Sequence, residues 1–168
     1  MKRNLKSILP VPVLQFARDA YDGIRRLPQL PAAYLHPWRR ESIRRLAELK
    51  DIHKGKRAFI IGNGPSLKQT DLSKLKNEIT FGMNRIYVMF PEMGFQTTYF
   101  CSINDLVIEQ FNADILALSM PKFLAWRSHR HFDPQLPINQ LPTFIYTSYT
   151  GPRFSPDARG RVWESATV

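Results

Sequence analysis

The chain has 168 residues, 43% of them hydrophobic and 23% charged, which suits one globular domain with a real core. It holds no apolar run of the ~20 residues needed to span a bilayer, and its single cysteine, Cys101, excludes an internal disulfide and fits a reducing compartment. The formal net charge of +10 is lopsided, with 14 Lys/Arg against 5 Asp/Glu in residues 1–57. That distribution argues against a specific nucleic-acid-binding core and for a membrane surface, an acidic partner or solubility.

The first twenty residues start basic, but Pro10, Pro12, Arg18 and Asp19 interrupt the apolar stretch that a signal peptide requires. Val13, Phe16, Ala17, Ala20, Tyr21, Ile24 and Leu27 recur at helical spacing, which predicts an amphipathic helix over residues 11–27. Pro28, Pro31 and Pro37 mark an extended connector, and residues 38–52 form a second helix with Ile43, Leu46, Ala47 and Leu49 on its apolar side. Residues 1–54 are thus a basic helical appendage to a domain over 55–168. Its helices either lie on anionic lipid with Trp38 near the headgroups, or pack on the domain with their arginines in solvent.

Residues 58–61 are a short apolar run bounded by turn signals, as in a strand buried on both faces of a parallel sheet. Gly62, Asn63, Gly64, Pro65 and Ser66 come next. Glycines there can take φ > 0 and admit a ligand closely, Pro65 suits a first helical turn, and Asn63 or Ser66 can cap it or reach a ligand. A helix start of this kind favours an anion such as a nucleotide phosphate, although neither the dinucleotide fingerprint nor the P-loop is met, and an ordinary β-to-α turn fits too. Further strands are expected over residues 79–83, 98–103, 122–126 and 143–148. Between them lie a short helix capped by Asp71, a turn over 86–90 stopped by Pro91 and Gly94, and a helix over 106–118. This alternation predicts an α/β sandwich, its mainly parallel sheet carrying helices on both faces.

Polar residues stand just after three strand ends: Gly62-Asn63-Gly64, Asn84-Arg85 and Asn104-Asp105. In open α/β sheets ligands bind outside the carboxyl ends of the strands, so these positions should share one rim, although Asn104 and Asp105 also suit helix capping. His129 and His131 alternate as metal ligands on a strand do, yet Arg130 and Pro134 suit an exposed loop, and no metal site is assigned. Arg127, Arg130 and Arg153 can meet phosphate or carboxylate, or remain solvated.

With these residues placed, the chain from about residue 55 onward resembles the 6-hydroxymethylpterin diphosphokinase MptE-like family, a domain long without assigned function and similar to motility accessory factors and glycosyltransferase family 42 sialyltransferases. Phe59-Ile60-Ile61-Gly62-Asn63-Gly64-Pro65-Ser66-Leu67 carries most of the likeness, joined in order by Phe81-Gly82-Met83-Asn84-Arg85, Ser102-Ile103-Asn104-Asp105-Leu106 and Arg161-Val162-Trp163-Glu164-Ser165-Ala166-Thr167-Val168. The resemblance implies a Rossmann-like fold that binds a nucleotide, a CMP-sugar in the sialyltransferases or ATP, normally with Mg²⁺, in the kinases. Residues matching Gly62, Asn63, Gly64 and Ser66 contact the nucleotide in the sialyltransferases, and the match to Asn84 lines the donor site. Asn104 and Ser165 match further positions.

The family's last shared stretch opens a helix, and the sialyltransferases' histidine base lies beyond it. None of His36, His53, His129 or His131 matches that base. The expectation is therefore the N-terminal part of a transferase, inactive and marginally stable alone. The complete protein is expected to be a glycosyltransferase of cell-surface glycan, the alternatives being an ATP-dependent pterin diphosphokinase or a non-catalytic nucleotide- or membrane-binding module. The expected location is cytoplasmic, at the inner face of the membrane if residues 1–54 bind lipid.

Overall fold

The computed structural model describes residues 10–27, 31, 35–148 and 162–163. Five short strands form one all-parallel sheet in the order β1-β2-β3-β4-β5: β1 (Ala58–Ile61), β2 (Ile79–Met83), β3 (Tyr99–Ser102), β4 (Lys122–Ala125) and β5 (Thr143–Ile145). The helices are α1 (Val11–Arg26), α2 (Pro37–Glu48), α3 (Phe90–Met93), α4 (Asp105–Gln110) and α5 (Asn112–Ala117), with 3₁₀ turns among them. The protein is an α/β fold.

Strand order decides which face is covered. A sheet whose parallel strands succeed one another in sequence, joined by right-handed crossovers, puts its connections on one face. Register and alternation assign Ile61, Thr80, Gly82, Phe100, Ser102, Leu124 and Phe144 to one face, and all of them are buried. Ile86, Ile108 and Ile115 of the connections are fully buried in the same core. On the opposite face Ile60 is 75% exposed and Ile79, Phe81, Met83 and Cys101 are half-buried, whereas Phe123, Ala125 and Thr143 towards β5 are buried. Tyr99 there is covered by His53, whose Nε2 lies 2.6 Å from the tyrosine hydroxyl. The crossovers thus lie on one face, while the opposite face is open at β1 and buried at β4.

The second helix of the supposed appendage belongs to the sheet. Trp38 is buried and stacks on Phe144, so it is not available to lipid headgroups. Arg39 Nη1 donates to the Phe144 carbonyl at 3.1 Å, and the Phe144 N–H donates to Ser42 Oγ at 2.9 Å. These side chains occupy the backbone groups that another strand would have paired, so α2 closes the β5 edge. His36 caps the helix, its Nδ1 accepting from the Trp38 N–H at 3.2 Å. At the other end the chain turns after Glu48, earlier than the apolar spacing suggests, and reaches Asp51 with a left-handed φ of 62°.

Several local expectations are corrected. Pro91 does not stop the turn after β2; it stands in the first turn of α3, which Gly94 ends with φ 71°. The predicted helix over 106–118 divides at Phe111 into α4 and α5. Val162–Trp163, expected to start a helix, is a two-residue strand pairing in parallel with Thr147–Ser148.

Candidate functional site

Because all five strands of the sheet run parallel, their carboxyl ends share one rim. Residues 62–64 leave β1 there and are exposed. The expected geometry of this turn is not the one the structure contains. Neither Gly62 nor Gly64 has a positive φ; Gly64 is extended at φ −69°, ψ 160°. The next element is a five-residue 3₁₀ turn, Pro65–Gln69, so the argument from an α-helix dipole does not apply. Pro65 does open that turn, but Asn63 and Ser66 side chains make no hydrogen bond among the described residues. A Cβ at Gly62 would meet nothing within 4 Å, and one at Gly64 only Ser66 Oγ at 4.0 Å. The glycines are thus not required by the turn; residues 62–64 are exposed, and the Gly64 carbonyl accepts from the Leu67 N–H at 3.0 Å.

At the end of β2, Asn84 adopts a left-handed φ of 52°, a conformation that asparagine tolerates better than most residues. Its N–H donates to the Cys101 carbonyl at 2.9 Å, and its Oδ1 accepts from Ser102 Oγ at 3.1 Å. Two bonds to β3 therefore hold it. The neighbouring Arg85 guanidinium lies 4.0 Å from the centre of the Phe111 ring, a cation–π contact across the rim.

Asn104 and Asp105 come after β3 and have structural partners. Asn104 Oδ1 accepts from the Leu106 and Val107 N–H groups at 3.1 and 3.4 Å, the ordinary cap of α4. Asp105 accepts from Ser128 Oγ at 2.9 Å, lies 3.1 Å from His131 Nε2 and pairs with Arg130. Burial pushes its carboxyl up, but the Ser128 hydrogen bond, the Arg130 guanidinium and the contact with His131 outweigh that, holding it below the ordinary carboxylate value. Asn112 Nδ2 donates to the His131 carbonyl at 2.8 Å and fixes this corner from behind.

The segment after β4, residues 126–131, was readable only as a set of loop cations and histidines. In the structure it is a 3₁₀ turn that points successive residues to different neighbours. His131 faces Asp105, whereas His129 stacks on Trp126 with centroids 4.1 Å apart and donates from Nδ1 to the Trp126 carbonyl at 2.7 Å. Burial keeps His129 below its ordinary value, only partly offset by that carbonyl. The two imidazoles do not converge, and no group of three metal-ligating side chains occurs among the described residues. Arg127 Nη2 donates to the Ile103 carbonyl at 2.7 Å and joins the β3 end to this turn. The Asp105–Ser128–His131 cluster was missed because Asp105 lies more than twenty residues before the other two; the one signal available was a carboxylate and a basic segment after adjacent strand ends. Arg153 and Ser165 lie outside the described residues.

A cavity of about 540 Å³ lies at the opposite end of the sheet, between Arg45, Leu116, Lys122, Leu141 and Thr143. Lys122 donates there to the Leu116 and Leu118 carbonyls at 3.3 and 2.6 Å, completing the end of α5. Its ammonium closes a helix and belongs to the architecture, away from the rim.

Comparisons with protein-family models, with curated proteins and with solved structures give no match to this chain.

Proposed function

We propose that this chain carries the donor-nucleotide side of a nucleotide-dependent transferase, similar to the sialyltransferases and built on a Rossmann-like plan. The observation that carries the reading is the combination at the rim of an exposed Gly62-Asn63-Gly64 backbone with an Asn84 clamped beside it. Exposed, and tied by no side-chain hydrogen bond among the described residues, residues 62–64 are open to a ligand. Backbone groups of residues 62–64 approach the phosphate, Asn63 and Ser66 hydrogen-bond it, and the amides of Asn84 and Asn104 line the donor pocket. Asp105 holds the Arg130 and His131 side chains at its edge, and Ser165 completes the donor side as the resemblance implies. The chemistry is displacement at a sugar anomeric carbon, with a cell-surface glycan as acceptor. The protein contributes positioning and charge stabilisation.

Calorimetric titration with CMP, CDP, ADP and ATP, the last two with and without Mg²⁺, tests the reading. Cytidine nucleotides should release heat of binding; a response only to ATP with Mg²⁺ would transfer the site to the diphosphokinase reading. Asn63→Ala should weaken binding by about tenfold, the value of one or so hydrogen bonds, without lowering stability. No heat with any of the four nucleotides would overturn the proposal and leave a non-catalytic module.

A further inference from the structure

α1 stands apart from the other long helix. α2 is held to β5 through its buried Trp38, Arg39 and Ser42, whereas Val13, Phe16, Tyr21, Ile24 and Leu27 on and just after α1 are all exposed, Phe16 and Ile24 by 75% and 67%. At 100° per residue these five positions and the exposed Ala17 and Ala20 fall within an arc of about 140°, one continuous apolar stripe. Scattered exposed hydrophobic residues are ordinary; seven aligned on one helix face are an interaction surface. Sixteen residues make a helix of about 24 Å, shorter than the hydrocarbon core of a bilayer, and no described helix is long and apolar enough to cross a membrane.

Charge distinguishes the candidate occupants. Residues 1–27 contain six Lys/Arg and two Asp/Glu, with no acidic residue in the first turn of α1. Arginines at positions 18, 25 and 26 fall off the apolar stripe by helical spacing. An apolar stripe opposite a polar side where three arginines outnumber Asp19 and Asp22, preceded by Lys2, Arg3 and Lys6, matches a surface that is apolar beneath and anionic above, which is the cross-section of an acidic phospholipid leaflet.

We infer that α1 is an interfacial anchor that lies in the plane of an anionic membrane, with Phe16, Tyr21 and Ile24 inserted among the acyl chains. Trp38 takes no part, being buried against Phe144. Anchoring holds the rim near acceptors carried on a membrane, but it does not depend on the nucleotide reading.

Flotation of the full chain on phosphatidylcholine vesicles, with and without phosphatidylglycerol, tests the inference. Binding should require phosphatidylglycerol, weaken in high salt, and fall about tenfold or more in the Phe16→Glu/Ile24→Glu variant. Val88→Glu, which replaces an exposed apolar residue on the sheet body, should leave binding unchanged. Equal flotation of the wild type and the stripe variant, equal binding to neutral vesicles, or no flotation would each overturn it. So would a wild-type dimer that the stripe variant dissolves, since the face would then pair with a second copy of this chain.

Discussion

Gly82 is the position where one added methyl group tests the packing of the connection face most directly. An ideal Cβ there would sit 2.5 Å from Ile86 Cγ2 and 2.8 and 2.9 Å from the Oγ1 and Cγ2 atoms of Thr97. Ordinary carbon contacts begin near about 3.5 Å, so Ile86 would have to retreat by roughly 1 Å. Ile86 is fully buried and Thr97 nearly so, leaving little room. Overpacking of this kind costs about 3 kcal/mol, offset by up to ~1 kcal/mol because alanine restricts the unfolded chain. Gly82→Ala should therefore lose about 2 kcal/mol in urea unfolding monitored by tryptophan fluorescence. The double-mutant cycle with Ile86→Ala separates steric conflict from a general strand effect. Ile86→Ala alone should lose about 3 kcal/mol, but adding Gly82→Ala to it should cost at least ~1 kcal/mol less than in the wild type, because the opposing methyl is gone. Wild-type stability in Gly82→Ala, or strict additivity in the cycle, would refute the packing argument.

Ser42→Ala should cost about 2 kcal/mol and speed amide exchange at Phe144, whose buried N–H would lose its acceptor; unchanged exchange would show that α2 does not seal the edge. Burial lowers the His129 pKa, with the neighbouring His36, Arg130 and His131 acting in the same direction, so the folded state binds its proton less readily than the unfolded chain. The stability due to neutral His129 is thus fully present above about pH 6.5 and declines as pH falls towards the lower folded value; His129→Phe should lack that slope in unfolding measured across the range. Burial pushes the Cys101 thiol up to about 12, so alkylation at pH 8 should be about 10³-fold slower in the folded protein than in urea, and similar rates would contradict it.

The strands were legible because each is a short apolar run with glycine, asparagine or proline near one end; β1 to β4 lie where those runs fall, whereas the run over 143–148 divides into β5 and Thr147–Ser148 of a second sheet. Their order was not. Alternation of strands and helices is the same whether the chain winds in one direction or reverses, so the placement of the crossovers on one face appears only in the pairing of β1 through β5. Helix type was equally hidden where segments are short. Residues 65–69 carry a helix start, but without enough length to favour α over 3₁₀ geometry, and residues 126–131, which suit an exposed loop, also form a 3₁₀ turn. The edge role of α2 was unreadable for another reason: Arg39 and Ser42 look like solvent-facing positions until β5, more than a hundred residues on, supplies backbone partners.

For the rim, spacing identified which residues would stand together but not what each would do there. Asn84, Asn104 and Asp105 all stand just past strand ends, yet the structure divides them by their partners. Asn104 is a helix cap, Asp105 anchors a serine, an arginine and a histidine, and Asn84 is fixed in a left-handed turn against β3. Residues with such partners are positioned before any ligand arrives, which lowers the ordering cost of binding. The Gly62 to Ser66 turn is the opposite case, exposed, its own side chains making no hydrogen bond among the described residues. Its glycines cannot be explained by backbone strain, since Gly64 occupies a region open to any residue. That sharpens the test at Gly64: valine should leave the unfolding midpoint unchanged, because its Cβ meets only Ser66 Oγ at 4.0 Å, while abolishing nucleotide binding by obstructing the approach to the backbone. Retained affinity in a stable Gly64→Val protein would remove the turn from the site, and lost affinity together with lost stability would show that the backbone there is held by something other than the contacts described.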